Sequence, residues 1–170
     1  MNRQALPSPG TPIAQVDTPA LVIDLDAMQR NLAAMALYAS ERRMRLRPHA
    51  KMHKSATIAK LQIEAGAVGV CVQKLSEAEA LAALGVADIF ISNEIVDPAK
   101  LDRFAVLAGQ IRLAIAVDSA LGVERLASAL KARGAHADVF VEIDHERRRV
   151  DLCDRRAEHR QRGAVHARRA

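Results

Sequence analysis

Six short runs rich in Val, Ile and Leu recur along the first 144 residues at intervals of 20 to 26 residues. Between them, apolar residues repeat with helical spacing, and Asp97 before Pro98 is typical of a helix start. Ser76 with Glu79 predicts a capping box at another helix start. Strands that alternate with helices at this interval predict βα units and a parallel sheet. The predicted strands are residues 20–24, 46–51, 68–72, 88–92, 112–117 and 138–143.

A series of about six βα units is typical either of an incomplete eightfold barrel or of a doubly wound sheet. No GxGxxG motif follows the first predicted strand, which disfavours a dinucleotide-binding sheet. We therefore predict an α/β fold, a partial (β/α)8 TIM-type barrel, over residues 17–144. Residues 1–16 form a lead-in to it.

The net charge of +5 comes entirely from the last 26 residues. Up to Asp144, six Lys and ten Arg balance sixteen Asp and Glu, whereas nine Arg face four acidic residues in 145–170. That segment shows neither helical periodicity nor alternation, so we predict a disordered Arg-rich tail. Two origins stay open: a natural basic tail, or a shifted reading frame near codon 145 in GC-rich DNA. The tail also leaves a functional alternative open, a non-catalytic protein that binds nucleic acid through these residues. This alternative is disfavoured because the tail has no aromatic residues for base stacking.

The composition also limits location and redox chemistry. No apolar run approaches the length of a membrane span, and Met1–Gly10 lack the apolar core of a signal peptide. Cys71 and Cys153 lie far apart and form no CxxC pair, so neither a disulfide framework nor a zinc site is indicated. We expect a cytoplasmic protein with no membrane partner and no specific nucleic-acid partner.

The stretch Arg47-Pro48-His49-Ala50-Lys51-Met52-His53 ends the second predicted strand. Alternation places Arg47, His49, Lys51 and His53 on one face if the strand stays regular. Such a face suits a Schiff-base lysine, because neighbouring cations and a dry pocket favour the neutral amine that attacks an aldehyde. The alternatives are an exposed strand end that solvates its charges and a metal held by His49 and His53. We predict no metal site, since two histidines without carboxylates indicate one only weakly.

Four ordered motifs carry a resemblance to a known family. The segments DTPALV (17–22), RPHAK (47–51), VQKLSEA (72–78) and ISNE (91–94) resemble D-threonine aldolases and the related D-serine dehydratases. The resemblance implies an alanine-racemase-type barrel with pyridoxal phosphate on Lys51, followed by a C-terminal β domain. D-Threonine aldolases cleave D-3-hydroxy-amino acids to glycine and an aldehyde, with a divalent metal such as Mn²⁺. By this resemblance His49 and His53 are candidate catalytic helpers, and the candidate cofactor-binding residues are Lys51, Arg47, Gln73, Asn93 and Arg149.

The resemblance ends after Asp144. The family continues with a D-x-G-x-x-R-x-G pattern, in which Glu146 and Asp151 here replace the glycines while Arg149 matches by count. The last two barrel strands, their phosphate-binding loops and the metal-binding C-terminal domain have no counterpart in this sequence. We therefore expect a truncated lyase that is inactive by itself, with aldolase and dehydratase chemistry both open. The intact enzyme would act on a small D-amino acid, as a homodimer.

Overall fold

The computed structural model of the chain describes residues 7–143 and the short strand Ala164–Ala167. Its elements alternate in type over most of their length, as the spacing predicts. The helices are α1 (Leu25–Glu41), α2 (Ala56–Glu64), α3 (Leu75–Ala83), α4 (Pro98–Ala108) and α5 (Ala120–Arg133). The strands are β1 (Val70–Val72), β2 (Asp88–Ile91), β3 (Arg112–Val117), β4 (Asp138–Glu142) and β5 (Ala164–Ala167).

The sheet follows chain order, β1-β2-β3-β4-β5. Strands β1 to β4 are parallel, each joined to the next through a helix, and β5 pairs antiparallel with β4. A strand order without reversal is that of a (β/α) barrel, since a doubly wound sheet reverses direction at its switch point. The predicted α/β fold with a TIM-type barrel arrangement is thereby confirmed.

One apolar core lies between the sheet and the helices that cover it. The strand residues that point toward the helices are fully buried, among them Val72, Ile89 and Ile115, and Phe104 of α4 fills the space opposite them. Helix starts are fixed by side chains: Asp97 accepts a hydrogen bond from Lys100 N, and Ser119 accepts one from Gly122 N. The helix start predicted at Asp97 is thus confirmed.

Three sequence expectations are wrong. Residues 20–24 form no strand; Leu21, Val22 and Ile23 stay exposed and no described strand pairs with them. Residues 46–51 give only an isolated bridge, His49 to Cys71, because Pro48 has no N–H to extend the ladder. The capping carboxylate of α3 is Glu77 and not Glu79, since the helix begins at Leu75.

The predicted disordered tail, residues 145–170, lies outside the described residues apart from β5. That strand was not predicted, because four residues are too few to show a periodicity of their own.

Helix α1 packs loosely. Ala39 is its one buried residue, and a cavity of about 730 Å³ lies between α1 and the residues around Leu46, Ile58 and Gln62. Within the described ranges, no helix combines the length and apolar character needed to cross a membrane.

Candidate active site

The sheet face opposite the helices carries the polar residues. Residues 46–50 run beside β1: Val68 N donates to Leu46 O, Cys71 N to Pro48 O and Ala50 N to Cys71 O. This pairing aligns His49 with Cys71 and brings Lys51 to the carboxyl end of the strands. In a βα barrel this end holds the active site.

Arg47 is directed to the opposite end of the sheet. Its Nη1 lies 2.7 Å from Asp88 Oδ1 in a partly buried ion pair. Asp88 also faces Arg112 at 3.7 Å, and Arg112 pairs with Asp138 at 3.1 Å. We call this alternating row, Arg47–Asp88–Arg112–Asp138, the ionic layer. It gives Arg47 an ion-pair partner at the opposite end of the sheet from Lys51, and the cofactor-binding role of Arg47 stays a prediction.

Gly69 makes the ionic layer possible. Its φ is +152°, and a Cβ there would lie 2.5 Å from both Arg47 Nη1 and Asp88 O. A residue without a side chain is required where a guanidinium approaches the backbone this closely.

His49 is held at both ring nitrogens. Lys51 N donates to Nδ1 at 3.2 Å, and Ser92 Oγ lies 3.3 Å from Nε2 while also donating to Val72 O at 3.2 Å. Because Nδ1 is an acceptor, the neutral ring carries its proton on Nε2, which donates to Ser92. Burial and then the positive charge of Lys51 lower the pKa of His49, against the influence of Glu77. The imidazole is therefore neutral near pH 7 and oriented toward the lysine turn.

Lys51 lies in a tight turn with an exposed side chain. It forms an ion pair with none of the carboxylates in the described part of the chain. A second lysine, three residues further along the chain, differs: Lys54 Nζ lies 3.2 Å from Glu77 Oε1. Lys54 falls in the turn after the strand segment, with Lys54 N donating to Ala50 O and a φ of +50°. Of these two lysines, only Lys54 has an ion-pair partner among the described residues.

His53 does not share the face of His49 and Lys51, which corrects the expectation from alternation. The turn carries it toward α2, where its Nδ1 accepts from Ser55 N at 3.1 Å. Among the described residues, neither its Nε2 nor Gln62 Oε1 has a hydrogen-bond partner, although both atoms are buried. Burial lowers the pKa of His53, and the neighbouring Gln62 and Ser55 N–H oppose this. The catalytic role of His53 stays a prediction.

Gln73 and Asn93 follow β1 and β2 and are both exposed. They line a cavity of about 480 Å³ with Lys100 and Arg103, beside the starts of α3 and α4. Their cofactor-binding role stays a prediction. Arg149 lies outside the described residues. Among the described residues, no three His, Cys, Asp or Glu side chains come together as a metal site.

Three residues at this end were not assigned a role from the sequence. Ser92 lies 43 residues from its partner His49, so only the strand register brings the two together. Cys71 is buried beside them, and burial raises the pKa of its thiol. Glu77 joins Lys54 to the start of α3. The sequence signal for Glu77 is its place three residues after Lys74, where a capping carboxylate lies at a helix start. The sequence prediction placed that carboxylate at Glu79, two residues further along the chain.

The parallel strands joined by helices, with a lysine in the turn after residues 46–50, are typical of a family of βα-barrel proteins. Residues 23–150 match the model of the alanine racemase N-terminal domain, and the chain belongs to that family.

Curated relatives are more specific. The chain is 44% identical over 146 residues to a D-threonine aldolase from an Arthrobacter species, which covers 86% of this chain and 38% of that protein. It is also 44% identical over 138 residues to a 3-hydroxy-D-aspartate aldolase of Paracoccus denitrificans, covering 80% of the chain and 36% of the relative. The chain therefore spans little more than a third of the length of these relatives.

Solved structures agree. The D-threonine aldolase from Filomicrobium marinum superposes with a TM-score of 0.76 at 50% identity, over 77% of this chain and 36% of that one. A D-threo-3-hydroxyaspartate dehydratase from Delftia sp. HT23 gives a TM-score of 0.71 at 37% identity, over 81% and 36%.

Proposed function

We propose that this chain carries the cofactor lysine of a pyridoxal-phosphate-dependent lyase that cleaves D-3-hydroxy-amino acids to glycine and an aldehyde. The observation that carries the proposal is the state of the two neighbouring lysines. Lys51 lies at the carboxyl end of the strands beside His49, and its amine forms no ion pair with the described residues, while Lys54 is paired with Glu77. An amine that reacts with an aldehyde must be unpaired and accessible.

The described residues fit the aldehyde end of pyridoxal phosphate. Lys51 would hold it covalently, and His49 would stand beside the attachment point as a neutral, oriented imidazole. When bound, the cofactor supplies an electron sink for the carbanion left by Cα–Cβ cleavage. Ser92 fixes the imidazole ring against Val72 O, which keeps the lysine turn and the ring in one arrangement.

Relatives support the substrate class. The aldolases are 44–50% identical to this chain, whereas the hydroxyaspartate dehydratase is 37–40% identical. An aldolase acting on a D-amino acid with a β-hydroxyl group is therefore favoured over a dehydratase. A divalent metal such as Mn²⁺ would act on that hydroxyl group by lowering its pKa, with ligands that the described residues do not supply.

The cofactor lysine is tested by incubating the chain with pyridoxal phosphate, reducing with borohydride and locating the label by peptide mass analysis. Lys51 should carry it, and Lys51→Ala should remove it. Lys54→Arg is the matched control, since it keeps the ion pair with Glu77 and should leave the label on Lys51. A label confined to Lys54 would end this assignment.

The reaction is tested in a chimaera in which residues 17–144 replace the corresponding part of the Arthrobacter enzyme. We expect glycine and acetaldehyde from D-threonine, with no turnover after Lys51→Ala. Release of ammonia and 2-oxobutanoate instead would assign the chemistry to a dehydratase.

A further inference from the structure

Two lysines three residues apart lie on the same turn, and both would meet a cofactor that entered from the carboxyl end of the strands. A lysine condenses with an aldehyde only as the neutral amine: its nitrogen forms a bond to the aldehyde carbon, and both amine hydrogens leave with the carbonyl oxygen as water. Lys54 is 65% exposed and therefore reachable. Something other than burial must determine which lysine reacts.

Glu77 is built to engage Lys54. Its side chain is only 14% exposed, and Oε1 lies 3.2 Å from Lys54 Nζ. Oε2 accepts from Gln73 N at 3.1 Å and from Lys74 N at 3.2 Å, which fixes the carboxylate to the start of α3. Burial alone would raise the pKa of Glu77, but these N–H groups and Lys54 outweigh burial and lower it. The carboxylate is thus charged and oriented before any ligand arrives.

We propose that Glu77 is a positioning residue that selects Lys51 as the reacting amine by holding Lys54 as a paired ammonium against α3. To react, Lys54 must give up both its proton and its contact with Glu77, whereas Lys51 has no such contact among the described residues. This inference rests on the proposed function, because it presumes that an aldehyde cofactor reaches the turn.

The experiment measures the ratio of label on Lys54 to label on Lys51 after limiting pyridoxal phosphate and borohydride. Glu77→Gln keeps an oxygen acceptor for Gln73 N and Lys74 N but removes the charge. We expect the ratio to rise about two- to five-fold, the range for one ion pair whose lysine is exposed to solvent. Glu79→Gln is the matched control: it lies two residues further along α3 and loses an ion pair with Arg103 instead, so the ratio should not change.

A second measurement needs no variant. Raising the salt concentration screens an exposed pair, so the wild-type ratio should rise in the same direction. This keeps the inference testable if circular dichroism shows that Glu77→Gln does not fold.

The outcomes separate the two proposals. If Lys51 is labelled but neither Glu77→Gln nor salt changes the ratio relative to Glu79→Gln, the role of Glu77 is refuted and the cofactor lysine stands. If wild type carries no label on Lys51, both fail.

Discussion

Replacing Gly69 by alanine should destabilise the strands around the ionic layer. The new Cβ would lie 2.5 Å from Asp88 O and 2.9 Å from Asp88 Cβ, and backbone cannot move away as a flexible side chain can. It would also displace the Arg47 guanidinium, 2.5 Å away, from its ion pair with Asp88.

The expected cost has two parts. An L-residue at a strained positive φ costs about 1–3 kcal/mol, and overpacking of a close contact adds about 1–3 kcal/mol. We expect Gly69→Ala to lower the free energy of unfolding by about 2–6 kcal/mol, a large part of the total for a domain of this size.

Urea unfolding followed by circular dichroism, at one protein concentration for all variants, measures this difference. Gly109→Ala is the matched control, because its φ is −77° and the nearest atom to an added Cβ is 3.4 Å away. Amide hydrogen exchange of β1 and β2 should accelerate in Gly69→Ala alone. Equal stability of the two variants would refute the close approach of Arg47 to the backbone.

Three further outcomes are expected. Asp88→Asn should lower the free energy of unfolding by about 1–3 kcal/mol, since the Asp88 side chain is 21% exposed between two arginines. The control Asp102→Asn should lower it by less than about 1 kcal/mol, because that carboxylate is 56% exposed where it faces Arg133. Equal losses in urea titrations would contradict the ionic layer. The folded-state pKa values of His49 and His53 lie below 6.5, so the unfolded chain binds more protons than the folded chain as the pH falls below 6.5, and the free energy of unfolding should decrease there. Urea midpoints between pH 5 and 8 should show this decline. A His49→Asn, His53→Asn double variant whose midpoint changes with pH as steeply as that of the wild type would contradict it. The chain by itself, with pyridoxal phosphate and Mn²⁺, should give no D-threonine cleavage above the Lys51→Ala background. It should also self-associate in sedimentation, because the described sheet does not close into a barrel and its edges present N–H and C=O groups to a second chain. Turnover by a monomer would contradict both expectations.

Four strands could be predicted because each is a short β-branched run that pairs with its neighbour in chain order. Residues 20–24 have the same composition, yet composition does not supply a pairing partner, and Val22 stays exposed in its absence. The short strand pairing of residues 46–50 with β1 could have been predicted, since Pro48 cannot donate a hydrogen bond. The missing information was long-range pairing and not local preference.

The residues of the candidate site also differ in whether a local motif or a long-range contact identifies them. Lys51 could be proposed from the sequence because a lysine after RPHA is a local motif, and its role as cofactor lysine stays a prediction. His53 was misplaced because alternation was carried through a turn, and a positive φ at Lys54 is uncommon for a non-glycine residue. Ser92 and Glu77 act through partners 43 and 23 residues away, and such contacts follow from strand register, which no local pattern contains.

The ionic layer has a consequence for how the strands find their alignment. A slip of one residue between neighbouring parallel strands exposes the apolar face, but a slip of two leaves that face intact. Asp88 is level with Arg112 in the native alignment. A two-residue slip would place each of these charges beside an uncharged strand residue and leave both without their ion pair. The ion pairs of the layer therefore favour the native alignment over a two-residue slip, which hydrophobic burial by itself would accept.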